Sequence, residues 1–106
     1  MPYISEDNRQ NLDNCIEDMV VCLKSNLNKD STSTLSNEEF LQIVGDINYT
    51  FSRILGQLMM PVSYSKIAMI TGVLENIKQE FYRRVGSQYE DKKIAENGDI
   101  KEYKKL

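Results

Sequence analysis

The side chains best suited to chemistry lie in one stretch of the sequence, residues 64–85. At 100° per residue of a helix, Tyr64, Glu75, Lys78 and Tyr82 fall within one narrow strip that borders an apolar arc. Lys78 is placed closest to the arc, where its ammonium would need Glu75 or a bound anion to offset its loss of hydration. The alternative is an ordinary surface ion pair between Glu75 and Lys78, three residues apart.

Two adjacent arginines, Arg83 and Arg84, follow directly on Tyr82. Each guanidinium presents a planar fork of donors to a phosphate or carboxylate, and the phenol ring offers a face for stacking. The pattern therefore predicts an anion site, although Glu80 could instead pair with Arg84 one helical turn away, or the arginines could form a subunit contact. The predicted ligand-binding residues are Tyr64, Glu75, Lys78, Tyr82, Arg83, Arg84, Tyr89 and Asn97.

Residues 45–56, on the preceding helix, are predicted to contact other helices or subunits rather than a ligand. Asn48 falls inside the apolar arc of its helix, so its amide is expected to be buried and hydrogen-bonded, to the following helix or to the backbone of the C-terminal tail. The opposite side carries two glycines, which lower helix propensity and permit close approach of another backbone. The residues predicted for an interhelical or subunit contact are Gly45, Tyr49, Arg53 and Gly56.

Groups for catalysis are few. The sequence has no histidine, the commonest general base and transition-metal ligand. Asp13 and Glu17 form one carboxylate pair at helical spacing, but no second pair follows, as a magnesium site in a bundle would require. Cys15 and Cys22 fall in an apolar stripe about 10.5 Å apart, which predicts buried, reduced thiols. We therefore predict no catalytic residue, no metal and no cofactor.

Helices must position these residues. Ser5 followed by Glu6 and Asp7 predicts the start of a first helix, whose apolar residues recur every three or four positions over 12–27. The wholly polar segment 28–34 predicts a loop. Ser36 and Glu39 form a capping box that begins a second helix, and Pro61 ends it. The short connection after Pro61 predicts a third helix running antiparallel beside the second.

The third helix is predicted over residues 67–85, with Gly86 as its stop. Residues 87–96 are expected to form a short further helix, and the charged segment 97–106 a tail or arm that becomes ordered on a partner. The sequence thus predicts an all-α, antiparallel bundle of three main helices, with a single domain over 1–96 and a separate tail over 97–106.

Size and charge narrow the function. The chain has 106 residues and a formal charge of −3, which indicates one folded domain and argues against general nucleic-acid binding. No apolar run approaches the roughly 20 residues that span a bilayer, so no membrane association is expected. The polar beginning lacks the pattern of a signal peptide, and a cytoplasmic location is expected. Three short helices bury a modest core, which favours a homo-oligomer.

Three segments carry a resemblance that covers most of the chain. They are GDINYTFSRIL (45–55), TGVLENIKQEFYRRV (71–85) and YEDKKIAENGDI (89–100). Together with the opening Met1-Pro2-Tyr3-Ile4, they resemble a family of small proteins of bacteriophages and prophage regions, in which proline often replaces Gln88. The resemblance implies a phage setting, with the host cell cytoplasm as location, and assigns no catalytic or binding residue.

The leading hypothesis is therefore a non-enzymatic binding protein. In a phage setting it would be an oligomeric sponge that sequesters an anionic nucleotide signal of host immunity, since arginine takes phosphate and tyrosine takes a base. One alternative is a protein–protein adaptor or virion-associated component, whose partner would be a host protein or another virion component and whose contacts are the same tyrosines and arginines. A second alternative is a small metal-dependent nucleotide hydrolase.

Overall fold

A computed structural model describes residues 4–104, so Met1–Tyr3 and the last two residues of the predicted tail lie outside the described residues. The described chain is about 80% helical and contains no strand, which confirms the all-α class. No helix within residues 4–104 is long and apolar enough to cross a membrane. The helices are α1 (Glu6–Ser25), α2 (Asn37–Met59), α3 (Tyr64–Phe81), a π-helical segment (Tyr82–Gly86), α4 (Ser87–Asn97) and α5 (Lys101–Lys104).

The chain separates into two compact units, which we call the N-terminal unit (residues 4–63) and the C-terminal unit (residues 64–104). The boundary follows a cis peptide bond between Met60 and Pro61. α1 and α2 belong to the N-terminal unit, and the remaining helices belong to the C-terminal unit. The antiparallel packing of the third helix on the second stays a prediction, as does the single domain over residues 1–96.

Local side-chain chemistry sets where α1 and α2 begin. The Ser5 hydroxyl accepts a hydrogen bond from the Asn8 backbone N–H, and acidic residues occupy the first turn of α1. At α2 the Glu39 N–H donates to the Ser36 hydroxyl (3.2 Å) and the Ser36 N–H donates to the Glu39 carboxylate (3.0 Å). The predicted capping box is therefore confirmed.

The connection between α1 and α2 is held by one carboxylate. Asp30 Oδ1 accepts hydrogen bonds from the Thr32 N–H (3.0 Å), the Thr32 hydroxyl (2.7 Å) and the Ser33 hydroxyl (2.9 Å). These bonds hold the pKa of Asp30 below its ordinary value. The predicted polar loop over residues 28–34 is thus an Asx-type turn that fixes the entry to α2.

α1 and α2 bury very little between them. Ile43 is 4% exposed and is the one buried residue in the described chain. Contacts between the helices include the hydrogen bond from Asn26 to Asp46. Farther toward the N terminus of α1, Leu12 and Ile16 are more than half exposed. The prediction that Cys15 and Cys22 are buried is wrong, because both thiols are free and exposed on this uncovered helix.

α3, the π-helical segment and α4 form one continuous helix, here called the long helix (residues 64–97). Phe81, Gly86 and Ser87 all have right-handed helical backbone angles, so the chain does not turn between α3 and α4. Its 18, 5 and 11 residues give a length of about 50 Å at 1.5 Å per residue.

The prediction that Gly86 ends the third helix is wrong. A glycine stops a helix by taking a positive φ, whereas Gly86 has φ −63°. The stop lies at Gly98, where φ is 84° and the N–H donates to the Ile94 carbonyl (2.7 Å). The chain then reverses, and α5 adds one helical turn to part of the segment that was predicted to be a tail.

Candidate functional site

The eight predicted ligand-binding residues are spread along the whole long helix. Tyr64 lies at its first position and is 94% exposed, and Asn97 lies at its last. By the helical rise, Tyr64 is about 27 Å from Tyr82 and about 50 Å from Asn97 along the axis. One small molecule therefore cannot contact all eight side chains in a single chain. The structure places six of them in two groups and leaves Tyr64 and Arg84 outside both.

The first group lies within nine consecutive residues of the long helix, 75–83, here called the 75–83 surface, which includes Glu75, Lys78, Tyr82 and Arg83. Glu75 accepts a hydrogen bond from the Gln79 amide (3.1 Å). Lys78 is exposed rather than buried at the edge of a core, and its ammonium makes no ion pair with residues 4–104. The alternative of a Glu75–Lys78 ion pair is therefore not formed, and Lys78 presents its charge to solvent.

Both arginines share one carboxylate. Glu80 forms ion pairs with Arg83 Nη2 (3.0 Å) and with Arg84 Nε, which confirms the predicted Glu80–Arg84 pair. The two guanidiniums remain more than half exposed. Ion pairs this exposed contribute about 0–1 kcal/mol, so Glu80 reduces the local positive charge at little gain in stability.

Tyr82 is fixed by a residue that the sequence did not single out. Its hydroxyl donates to both carboxylate oxygens of Glu90, each at 2.8 Å. The hydrogen bond to Glu90, the negative charge of that carboxylate and partial desolvation raise the pKa of Tyr82 above its ordinary value. A Cβ placed on Gly86 would lie 2.8 Å from Tyr82 Cδ2. Gly86 therefore leaves room for the ring rather than ending the helix.

No sequence signal points to the Tyr82–Glu90 pair. In an unbroken α-helix, residues eight apart lie about 12 Å apart along the axis and about 80° apart around it. The π-helical segment changes that angle by adding a residue to the turn, as seen in the bond from the Ser87 N–H to the Tyr82 carbonyl. Local spacing rules assume a regular α-helix and so could not find the pair.

The second group lines an open groove between α4 and α5, here called the α4–α5 groove, of about 430 Å³. Tyr89 and Asn97 were predicted as ligand-binding residues. Lys93, Asp99 and Tyr103 were missed because this part of the chain was predicted to be a polar helix and a tail. The Lys93 ammonium lies 5.5 Å from the centroid of the Tyr89 ring and 3.2 Å from the Glu96 carboxylate.

The contact residues predicted on α2 are open to solvent. The expectation that Asn48 is buried is wrong: it is exposed and accepts a hydrogen bond from Ser52 of the same helix (3.4 Å), because within the N-terminal unit nothing covers this part of the arc. A Cβ on Gly45 or on Gly56 would meet nothing within 4 Å. Neither glycine is therefore packed against another part of the N-terminal unit, and the predicted interhelical or subunit contact stays a prediction.

The other side chains of this face agree with that description. Tyr49 is well exposed and lines a hollow with Met19 and Cys22 of α1. Arg53 is exposed and makes neither a hydrogen bond nor an ion pair with residues 4–104. Within the same residues, no three His, Cys, Asp or Glu side chains are grouped so that they could hold a metal ion.

Comparison with known proteins gives one match. A family model described as a domain of unknown function, DUF6899, matches residues 1–100. Neither a curated protein nor a solved structure matches the chain.

Proposed function

The chain belongs to the DUF6899 family, and we propose that it is a non-enzymatic binding protein that works as a homo-oligomer. The observation that carries this proposal is the uncovered apolar arc of the long helix. Outside the long helix, α5 is the only helix among the described residues of the C-terminal unit. It has four residues and cannot cover the arc. The exposed apolar residues are Ile67, Leu74, Ile77, Phe81 and Val85.

The length of the long helix supports a second copy as the covering partner. α2 has 23 residues, or about 35 Å of helix, against about 50 Å for the long helix. Even the predicted antiparallel pairing with α2 would leave the last part of the long helix uncovered. Each large apolar side chain that is fully buried contributes about 1.5–3 kcal/mol. Association of copies would therefore supply much of the burial that one chain lacks.

We propose an anionic, nucleotide-type small molecule as the cargo, bound at the 75–83 surface. Lys78 supports this choice because it offers a cation without a carboxylate partner among the described residues. Arg83 adds a planar donor fork, and the ring of Tyr82 adds a face for a base. In the phage setting that the resemblance implies, the corresponding role is to sequester a nucleotide signal of host immunity in the host cytoplasm.

A thermal-shift panel of cyclic mono- and dinucleotides tests the cargo. A ligand present at a hundred times its Kd adds about 2.7 kcal/mol of stability, which raises the Tm of a domain this size by about 10–20 °C. Lys78→Ala should remove most of the shift produced by the active nucleotide. Lys92→Ala, which removes the same charge from α4 outside the 75–83 surface, should retain it. The absence of a shift with every nucleotide contradicts the cargo.

A protein–protein adaptor is the second candidate, and the exposed stripe of α1 favours it. Leu12, Ile16 and Met19 lie on one side of α1 and remain exposed beside α2. Apolar side chains at this spacing fit a groove or helix of another protein. An adaptor would retain a defined host or virion protein on an affinity column, and Leu12→Asp with Ile16→Asp would release it, whereas nucleotides would leave its Tm unchanged.

A further inference from the structure

The chemistry of the α4–α5 groove fits a cation better than an anion. Its lining includes two tyrosine rings, from Tyr89 and Tyr103, and the carboxylates of Glu90 and Asp99. The one lysine of the lining, Lys93, is already paired with Glu96. Its ammonium also lies over the Tyr89 ring, which shows that a tyrosine of this groove can accept a positive charge on its face. A planar guanidinium could stack on a tyrosine and pair with a carboxylate in the same groove.

One guanidinium lacks such a partner among residues 4–104. Arg9 donates to the Ile4 carbonyl (2.9 Å), and Arg83 and Arg84 pair with Glu80. Arg53 is the arginine that makes no hydrogen bond or ion pair with residues 4–104. An arginine that has no partner in its own unit is stabilised when it pairs with a carboxylate of another molecule.

The surface around Arg53 allows another element to approach closely. Gly56 lies three residues after Arg53, on the same side of α2 as Gly45 and Tyr49. A Cβ at either glycine would meet no atom within 4 Å. We call this side, formed by Gly45, Tyr49, Arg53 and Gly56, the glycine face. Its two missing side chains reduce the distance at which a neighbouring helix can pack.

Arg53 is too far along the chain from Asp99 of the same copy to pair with it. It lies six residues, or about 9 Å, before the end of α2, and Asn97, two residues before Asp99, lies about 50 Å from the start of the long helix. Even a fully extended connection across residues 60–63, at about 3.6 Å per residue, spans only about 18 Å. At least about 20 Å along the axis therefore remains between Arg53 and Asn97, whereas about 10 Å remains to Tyr89 at the near end of the groove.

We propose that the α4–α5 groove of one copy receives Arg53 of the partner subunit, with the glycine face of the partner's α2 packed against α4 and α5. The guanidinium lies between the tyrosines and pairs with Asp99, since both carboxylate oxygens of Glu90 already accept the Tyr82 hydroxyl. This inference specifies a contact within the homo-oligomer proposed above and rests on it. In a symmetric dimer the contact occurs twice, and in a ring it joins each copy to the next.

Disulfide trapping between two differently mutated copies tests the contact. With Cys15→Ser and Cys22→Ser in every protein, one sample carries Arg53→Cys and the other carries Tyr103→Cys. Mixed under mild oxidation, they should form a cross-linked heterodimer at least ten times faster than Arg53→Cys mixed with Tyr64→Cys, whose thiol lies on the same unit outside the groove. Equal rates in the two mixtures overturn the proposed contact.

Light scattering of the unmodified protein separates the two proposals. An oligomer that fails to trap the Arg53–Tyr103 pair contradicts this contact and leaves the homo-oligomer standing. A monomer at all concentrations contradicts both. As a second measurement, Arg53→Glu should raise the Kd of self-association at least tenfold, and adding Asp99→Arg should restore part of the loss, since exchanging the charges re-forms the pair. Unchanged association of Arg53→Glu also overturns the contact.

Discussion

Tyr82 combines three features on one side chain: a hydroxyl bound to Glu90, a ring that needs the space left by Gly86, and a place on the 75–83 surface. A bound base that stacked on this ring would meet a ring already held in position. Holding the ring in advance reduces the conformational entropy that ligand binding costs.

The titration of Tyr82 should therefore differ from that of the other tyrosines. Glu90 raises the pKa of Tyr82 in the folded chain above the value of about 10 in the unfolded chain. Folding then retains the proton, so the stability from this pair is present below pH 10 and is lost as the pH rises through the folded-state pKa. Tyrosine ring signals followed by NMR across alkaline pH should show Tyr82 ionising above the pH of about 10 that is ordinary for a tyrosine.

The matched variants for this titration are Glu90→Gln and Asp91→Asn. Glu90→Gln removes the charge that Tyr82 contacts, and it should return the pKa of Tyr82 to the ordinary range. Asp91→Asn removes the same charge one position later and should leave that pKa raised. If Tyr82 titrates at about pH 10, the ordinary value for a tyrosine, in the unmodified protein, the hydrogen bond to Glu90 does not form in solution.

At the scale of elements, two glycines of the long helix differ in whether a side chain could replace them. A Cβ at Gly72 would meet nothing within 4 Å, whereas a Cβ at Gly86 would press on Tyr82. Alanine in a helix interior is favoured over glycine by about 0.8–1 kcal/mol. Gly72→Ala should therefore raise the free energy of unfolding by about that amount.

Gly86→Ala should gain less than Gly72→Ala, or lose stability, because the Tyr82 ring must move to admit the methyl group. Urea unfolding of both variants measures the difference directly. Gly86→Ala should also lower the pKa of Tyr82 toward its ordinary value, since the displaced ring moves away from Glu90. Equal stabilisation by the two substitutions would show that the ring does not occupy the space beside Gly86.

The sequence predicts helices well where local chemistry defines them. The beginning of α2 follows from Ser36 and Glu39 alone, because a capping box involves residues three apart. The role of Gly86 could not be predicted, because a glycine ends a helix only at positive φ and the sequence does not report φ. The exposure of Asn48 could not be predicted either, since helical spacing shows which residues share a side and not whether anything covers that side.

At the scale of the whole molecule, the predicted ligand-binding residues are spread out rather than gathered. They lie along one helix about 50 Å long, so one small molecule cannot contact all of them in a single chain. The sequence could not predict this distribution, because it depends on where the helix ends.

Gly56 gives a test of assembly that preserves the fold of the single chain. Gly56→Leu adds a side chain where the described chain has open space, so the helix content in circular dichroism should be retained. The bulk would hold the glycine face away from the α4–α5 groove, so the Kd of self-association should rise at least tenfold by light scattering. Gln57→Leu, one position away on a different side of α2, should associate as the unmodified protein does. Identical behaviour of the two variants would exclude the glycine face from the interface.

The π-helical segment has a consequence for how such an assembly could change. One residue inserted into an α-helix rotates everything downstream by about 100°. Deleting a single residue within Tyr82–Gly86 would rotate the α4–α5 groove about the helix axis relative to α3, while retaining every residue that lines the groove. A one-codon change in this segment would therefore reorient the groove relative to α3, and it would also separate Tyr82 from Glu90, whose pairing depends on the added residue.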